Sequence, residues 1–314
     1  MAKRSPQLPH GMQSFSCDEF NWITISEPSK ETTHVLKQQF PFLLASDLRD
    51  LLPPFQRPKL IEREEYFFMV LLFPVYDPEK NAIRPTEVDF LVGQNFLIIN
   101  HTGELKELNT LANNTSQVCL DVEKNTPELL LYHIIKALHA ACFPLLTKIS
   151  NDIINLEHDA MDRFNEPTLR RMLQLKGIIV DFHNVMEGHK RVIHKLEDHA
   201  TRMFPVPESN AANYGLLIEQ IMDIESFIAN DRETINEIYT SAISLMQFKT
   251  GEATKTLSAI ALIVFPTTLV AAIFSVRAEH IPFIGNPNDF WIILTFVGIM
   301  MLATTLYLKS KKWL

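Results

Sequence analysis

Two uninterrupted apolar runs dominate the end of the chain: residues 257–276 are twenty positions without a charge, and residues 290–308 are nineteen more. At about 1.5 Å of rise per helical residue, each run spans roughly the 30 Å hydrocarbon core of a bilayer. Both are expected to be transmembrane helices. The segment between them, 277–289, carries Pro282, Gly285, Asn286, Pro287 and Asn288, which favour an external loop over continued helix.

Upstream the period changes. Branched and aromatic residues mark short strands at 20–25, 65–75, 87–92, 96–100 and 117–120. Gly93-Gln94-Asn95 is a plausible hairpin turn between two of them. Residues 29–39, with Ser29 as candidate N-cap, and 45–51 read as helices. Residues 20–125 are therefore expected to form an α/β domain with a largely buried sheet. Residues 1–19 are polar, lack the apolar core of a signal peptide, and are expected to be a flexible tail.

From Thr126-Pro127, a helix start by cap and proline, helical periodicity continues to about residue 203. A break near Pro167 suggests an antiparallel pair of long helices over 126–207, closed by the linker Phe204-Pro205-Val206-Pro207. Over 208–276 the only breakers are Gly215, Gly251 and Pro266, so one helix of about 100 Å is expected to run from the soluble part through the membrane. A rod of that length has no use inside one domain and should associate with copies of itself.

Charge sets the orientation. Lys309, Lys311 and Lys312 follow the second run in a short basic tail, 309–314, whereas 277–289 holds Arg277 against Glu279 and Asp289. The positive-inside rule then places both termini in the cytoplasm of a multi-pass protein of the cell (inner) membrane. The net charge of −8 excludes a broadly basic nucleic-acid surface. Cys17, Cys119 and Cys142 are far apart and without zinc-ligand spacing, which suggests reduced thiols. No phosphate loop, dinucleotide turn or His-Glu-x-x-His pair is present, so no enzyme class is supported.

The first apolar run carries the most informative pattern. Positions Gly251, Thr254, Ser258, Ala261, Phe265, Thr268, Ala272 and Ser275 alternate three and four apart, and seven of the eight are small or hydroxylated. Such a stripe stays on one side of a helix in a left-handed bundle. One reading is close helix packing in lipid. The other is a pore in which Thr268 and Ser275 offer oxygens to a hydrated ion and Phe265 forms an apolar constriction. His183, His189, His194 and His199 recur every five or six residues, which scatters them round a helix, and are expected to be solvated. Asp152, Glu157, Asp159 and Asp162 read as a wet face.

The segment from Thr256 to the terminal Lys311-Lys312-Trp313-Leu314, with two spans and a short loop carrying Glu279 and Pro282, resembles the CorA family of two-span divalent-metal transporters. Gln56-Arg57-Pro58-Lys59 with the following 66–74 strand, and Phe143-Pro144-Leu145-Leu146 onward to Asp159, are similar to that family's strand entry and first long helix. The resemblance runs in order from about residue 20 to 314. It implies a funnel-shaped homopentamer with an α/β cytosolic head, long helices, two transmembrane helices per chain and a pore lined by the first.

The family's Gly-Met-Asn mouth is replaced here by Ser275, Val276 and Arg277, with Glu279 close behind. Five Arg277 side chains about 6 Å from an axis would repel a divalent ion by roughly 7 kcal/mol in water, before screening. An Arg277 turned to lipid headgroups or paired with Glu279 would not. The resemblance also implies regulatory divalent ions bound by acidic residues between subunits, for which Glu219, Asp223 and Glu225 are candidates. No permanently bound cofactor is expected; Mg2+ or Zn2+ is substrate or regulator. The expected partners are the bilayer and further copies of the chain. Two functions follow: a divalent-cation channel or transporter with altered selectivity or direction, or a non-conducting scaffold or metal sensor on the same architecture.

Overall fold

The computed structural model describes residues 8–17, 20–113, 126–162, 165–203, 208–276 and 288–311. The chain divides into two compact units, Met1–Ile238 and Tyr239–Leu314. The first is built on a six-stranded sheet of β1 (Met12–Cys17), β2 (Phe20–Ile25), β3 (Lys59–Glu62), β4 (Tyr66–Asp77), β5 (Ala82–Gly93) and β6 (Phe96–His101). Its order is β1-β2-β6-β5-β4-β3, with β2 and β6 parallel and every other neighbour antiparallel.

The alternation of side chains across β4 explains why this sheet is buried on both faces. Phe67, Met69, Leu71 and Phe73 enter one core, with Val88, Phe90 and Val92 of β5 and Leu97 and Ile99 of β6. Helices cover that side: α4 (Pro127–Ala140) through Leu130, Leu131, Ile134 and Leu138, α7 (His189–Met203) through Val192, Ile193 and Leu196, and the start of α8 (Glu208–Ser275) through Tyr214, Leu217 and Ile221. Phe68, Val70, Leu91 and Ile98 enter the opposite core, with Leu36 of α1 (Lys30–Gln39) and Leu48 of α2 (Ala45–Asp50). The remaining helices are α3 (Lys106–Asn113), α5 (Cys142–Asp162), α6 (Glu166–Met186) and α9 (Asp289–Ser310).

Local chemistry sets several boundaries as expected. Ser29 Oγ accepts from the Thr32 amide at 3.2 Å and Thr32 Oγ1 from the Ser29 amide at 2.9 Å, a reciprocal cap that starts α1. Thr126 caps α4 ahead of Pro127. Gly93 and Phe96 flank a two-residue turn, where a Cβ on Gly93 would lie 2.2 Å from the Phe96 ring.

Other expectations are corrected. The flexible tail does not extend over Met12–Cys17, which pairs residue for residue with β2 and buries Met12 and Cys17. Residues 117–120 lie outside the described residues. The expected pair of long helices is four: α4 and α5 are separated at Ala141, just before Pro144 in the first turn of α5, and α6 and α7 at Gly188, whose φ of +99° suits glycine. Cys17 is disulfide-bonded, so the reduced-thiol reading fails there, while Cys142 is free and buried. Pro127–Met161 is also apolar enough to span a bilayer, but half of its most apolar window is buried in the protein, as expected of core helices.

The α2 helix is tied to the β3–β4 turn by one buried carboxylate. Asp47, 1% exposed, accepts from Arg63 Nε at 3.0 Å, Arg63 Nη2 at 2.7 Å and the Tyr66 hydroxyl at 2.7 Å. Burial raises its pKa, but the bonds from Arg63, Tyr66 and Ser46 and the Arg63 charge outweigh that and hold it below the usual carboxylate value. A folded pKa below the unfolded one gives stability that is complete above about pH 4 and fades as pH falls through the folded value. Asp47→Asn should therefore cost about 2 kcal/mol at neutral pH and less at pH values below about 4, read as the opening free energy of β4 amides by hydrogen exchange. An equal cost at both would show that the charge of Asp47 is not what stabilises this corner.

Candidate functional site

In the second unit, the membrane-length part of α8 and the whole of α9 are apolar and mostly exposed. Coverage falls on one line of each helix. On α8 it runs through Ala259, which is fully buried, and the partly covered Ile263, Pro266, Thr267, Val270 and Phe274. On α9 it runs through Ile293, Val297, Met300, Thr304 and the buried Leu308. In a unit made of two helices, these are the faces turned to each other. Toward one end, Phe274 of α8 and Trp291, Phe296 and Ile299 of α9 line an open apolar groove of about 510 Å³.

The stripe predicted from sequence lies elsewhere on α8. At about 100° per residue, Gly251, Thr254, Ser258, Ala261, Phe265, Thr268, Ala272 and Ser275 fall roughly opposite the covered line. All are exposed except Ala261, which is partly covered, and Phe265 is 71% exposed. The small size of these residues is not required by packing within the chain. A Cβ added to Gly251 would meet nothing within 4 Å. Whatever selects small side chains here lies outside a single copy.

Three of the four hydroxyls on this stripe share one arrangement. Thr254 Oγ1 donates to the Thr250 carbonyl at 2.9 Å, Thr268 Oγ1 to that of Val264 at 2.7 Å, and Ser275 Oγ to that of Ala271 at 2.8 Å. Each hydroxyl proton is thus held by the helix's own backbone, four residues back. The oxygen lone pairs remain as acceptors, the polarity a cation or its hydration water requires. Pro266 has no N–H, so the carbonyl one turn before it, on Leu262, lacks its usual helical partner. Nothing charged lies within 257–276.

Of the expected mouth, Ser275 closes α8 and Val276 follows it, exposed, its amide bonded to the Ile273 carbonyl at 3.3 Å. Arg277 and Glu279 lie outside the described residues. Glu219 and Asp223 are exposed one turn apart on α8, whereas Glu225 points to a different side of the helix. Among the described residues, no three His, Cys, Asp or Glu side chains converge as a metal cluster. The expectation of solvated histidines holds for His183 and His194 but not for His189 and His199, which are buried. His189 donates to the Leu72 carbonyl at 2.7 Å and lies 3.1 Å from His139, and His199 lies 3.3 Å from Glu62. In the acidic stretch, Asp159 pairs with Arg171 at 2.6 Å.

Comparison with known proteins bears on the family and the fold. The family profile described as CorA-like Mg2+ transporter protein matches residues 18–311. The cobalt/magnesium transport protein CorA of Thermotoga maritima is 27% identical over 271 residues, covering 85% of this chain and 76% of that one. The zinc transport protein ZntB of Yersinia pseudotuberculosis is 26% identical over 175 residues, covering 53% of this chain and 50% of its own. The complete structure of the CorA magnesium transporter from Methanocaldococcus jannaschii superposes with a TM-score of 0.84 at 19% identity, covering 98% of this chain and 95% of that chain. The α/β head and long helices are thus a shared fold.

The placement of the stripe makes a labelling prediction. In the assembled protein in membranes, Thr268→Cys and Ser275→Cys should react with a small water-soluble thiol reagent. Leu269→Cys and Ile273→Cys, on neighbouring faces, should react at least about tenfold more slowly, because lipid-buried thiols rarely ionise. Equal protection of all four would assign the stripe to dry helix packing.

Proposed function

This chain belongs to the CorA-like Mg2+ transporter family, and from that premise we propose that it moves divalent metal cations, Mg2+ or Zn2+, through a pore lined by α8. The observation that carries the proposal is the stripe of small and hydroxylated residues on the face of α8 roughly opposite α9, with three of its four hydroxyl protons bound to backbone and those oxygens free to accept. One copy cannot enclose a path, so the pore requires a homo-oligomer, a pentamer in this reading, with α8 inside and α9 toward lipid. The basic tail after α9 supports an orientation with both termini in the cytoplasm.

Two features of the path shape transport. Hydroxyl oxygens without a fixed negative charge bind a hydrated ion weakly, which favours passage over capture. Phe265, the one bulky member of the stripe, narrows it with an apolar ring that a hydrated ion crosses only when the ring widens. At the mouth, Ser275-Val276-Arg277 in place of Gly-Met-Asn removes an amide and adds a positive charge, which shifts selectivity or direction. That same arginine, with the absence of any acidic residue on the stripe, favours a second reading: a non-conducting scaffold or metal sensor.

Flux of Mg2+, Zn2+, Co2+ and Ni2+ into proteoliposomes separates the two. Wild type should carry at least one of these ions. Phe265→Ala should raise the leak, and Arg277→Asn should raise Mg2+ entry by about tenfold or more, since removing even about 1.4 kcal/mol of repulsion is tenfold. Silence in wild type and in Arg277→Asn, with folded oligomers and a conducting CorA control, would leave the scaffold or sensor reading. Unchanged flux in a folded Phe265→Ala oligomer would reject Phe265 as the constriction.

A further inference from the structure

Besides the Tyr66–Asp47 corner, the core face of the sheet that packs on α1 and α2 carries one more buried polar group. Glu87 and Asp89, two residues apart on β5, share that face, and Asn100 of β6 stands in register with Asp89. All three are buried, Asp89 to 1% exposure. They line a cavity of about 30 Å³ whose other walls are Pro28, the 51–55 loop, His101 and Thr102. That is room for an ion or a water molecule and too little for an organic ligand.

The hydrogen bonds leave this group incomplete. Asn100 Nδ2 donates to Asp89 Oδ2 at 2.8 Å and to the Leu51 carbonyl at 3.0 Å. Both neighbours are acceptors, so the amide orientation is fixed and Asn100 Oδ1 is turned away from them. Glu87 Oε2 accepts from the Gln56 amide at 2.6 Å. Asp89 Oδ1 and Asn100 Oδ1 are buried with no partner. Buried oxygens of this kind are normally satisfied, and an orphan is costly.

The charge is equally incomplete. Lys59, the cation that acts on both carboxyls, has its ammonium bonded to Asp50 at 2.7 Å. The neighbouring imidazole is occupied on both sides: His101 Nδ1 accepts from the Gly103 amide at 3.1 Å and Nε2 faces Thr24 Oγ1 at 3.3 Å. A water in the cavity would fill the orphan oxygens but leave two buried carboxyls uncompensated. A proton on Asp89, donated to the Glu87 carboxylate within its reach, would compensate one charge but leave Asn100 Oδ1, which can only accept, without a donor. A cation answers both needs at once.

We infer that Glu87, Asp89 and Asn100 form an intrachain binding site for one small, hard divalent cation of the Mg2+ class, with water completing its shell. The donors are two carboxylates and an amide oxygen, with no free nitrogen or sulfur, which disfavours zinc or nickel. The site needs one copy of the chain and no membrane gradient, so it stands apart from the pore and from the acidic residues of α8.

The test uses the full chain, purified in detergent and stripped with EDTA, with hydrogen–deuterium exchange read by mass spectrometry as Mg2+ is added against matched NaCl. Mg2+ should slow exchange in peptides spanning 49–57 and 96–103. Glu87→Gln should need about tenfold or more Mg2+ for the same effect. Asp89→Asn should lose the local slowing while β4 keeps its protection; if that variant does not fold, the less deeply buried Glu87→Gln carries the comparison. Wild-type peptides indifferent to millimolar Mg2+, or equally protected by Na+, would overturn the site and leave the cavity to a proton or a water. An unaltered Mg2+ response in a folded Glu87→Gln would also overturn it.

Discussion

The soluble unit depends on the pairing of β4 with β5, an antiparallel ladder of twelve residues on each strand. A one-residue slip would exchange the two faces of both strands, because side chains alternate with a period of two. The register sends Phe67, Met69, Leu71 and Phe73 to the side covered by α4, α7 and the start of α8, and Phe68 and Val70 to the side covered by α1 and α2. The same alternation brings Glu87 and Asp89 to one buried side, where Asp89 meets Asn100 and Glu87 meets the Gln56 amide. Side-chain bonds then tie α8 to its neighbours: Tyr214 donates to Glu128 of α4 at 2.6 Å, and Ser150 of α5 donates to Asp231 at 2.9 Å.

The second unit follows a different rule. In hydrocarbon every backbone polar group must be satisfied within the helix, and the side chains are free to be apolar all round. Departures from that default are therefore informative. Seven small or hydroxylated residues on one side of α8, unneeded by the fold of a single copy, are such a departure. So are hydroxyls that satisfy their protons on the backbone and keep only acceptor character outward.

Much of this was legible in the sequence where a local rule decides the outcome. Unbroken apolar length marked the spans, alternation marked β2, β4, β5 and β6, and Ser29 and Thr126 announced their helices through capping chemistry. What stayed hidden depends on partners distant in the chain. Met12–Cys17 is half polar and reads as tail until β2 pairs with it. His189 looks solvated until it meets His139 and the Leu72 carbonyl. The stripe on α8 was visible as a period, but its direction relative to α9 was not. Glu87 and Asp89 carried a readable signal, two acids at strand spacing in an apolar run, whose meaning appears only with Asn100 opposite.

Pro266 gives the membrane part of α8 a mechanical character that its composition does not suggest. A helix resists bending through its ladder of backbone bonds, and here one rung is missing. Deformation will concentrate at that level, just beyond Phe265. The nine residues from Thr267 to Ser275 then act as a stiff lever of about 13 Å. A bend of about 20° at its base carries the tip sideways by roughly 5 Å, about the width of a side chain, while the rest of the helix stays still.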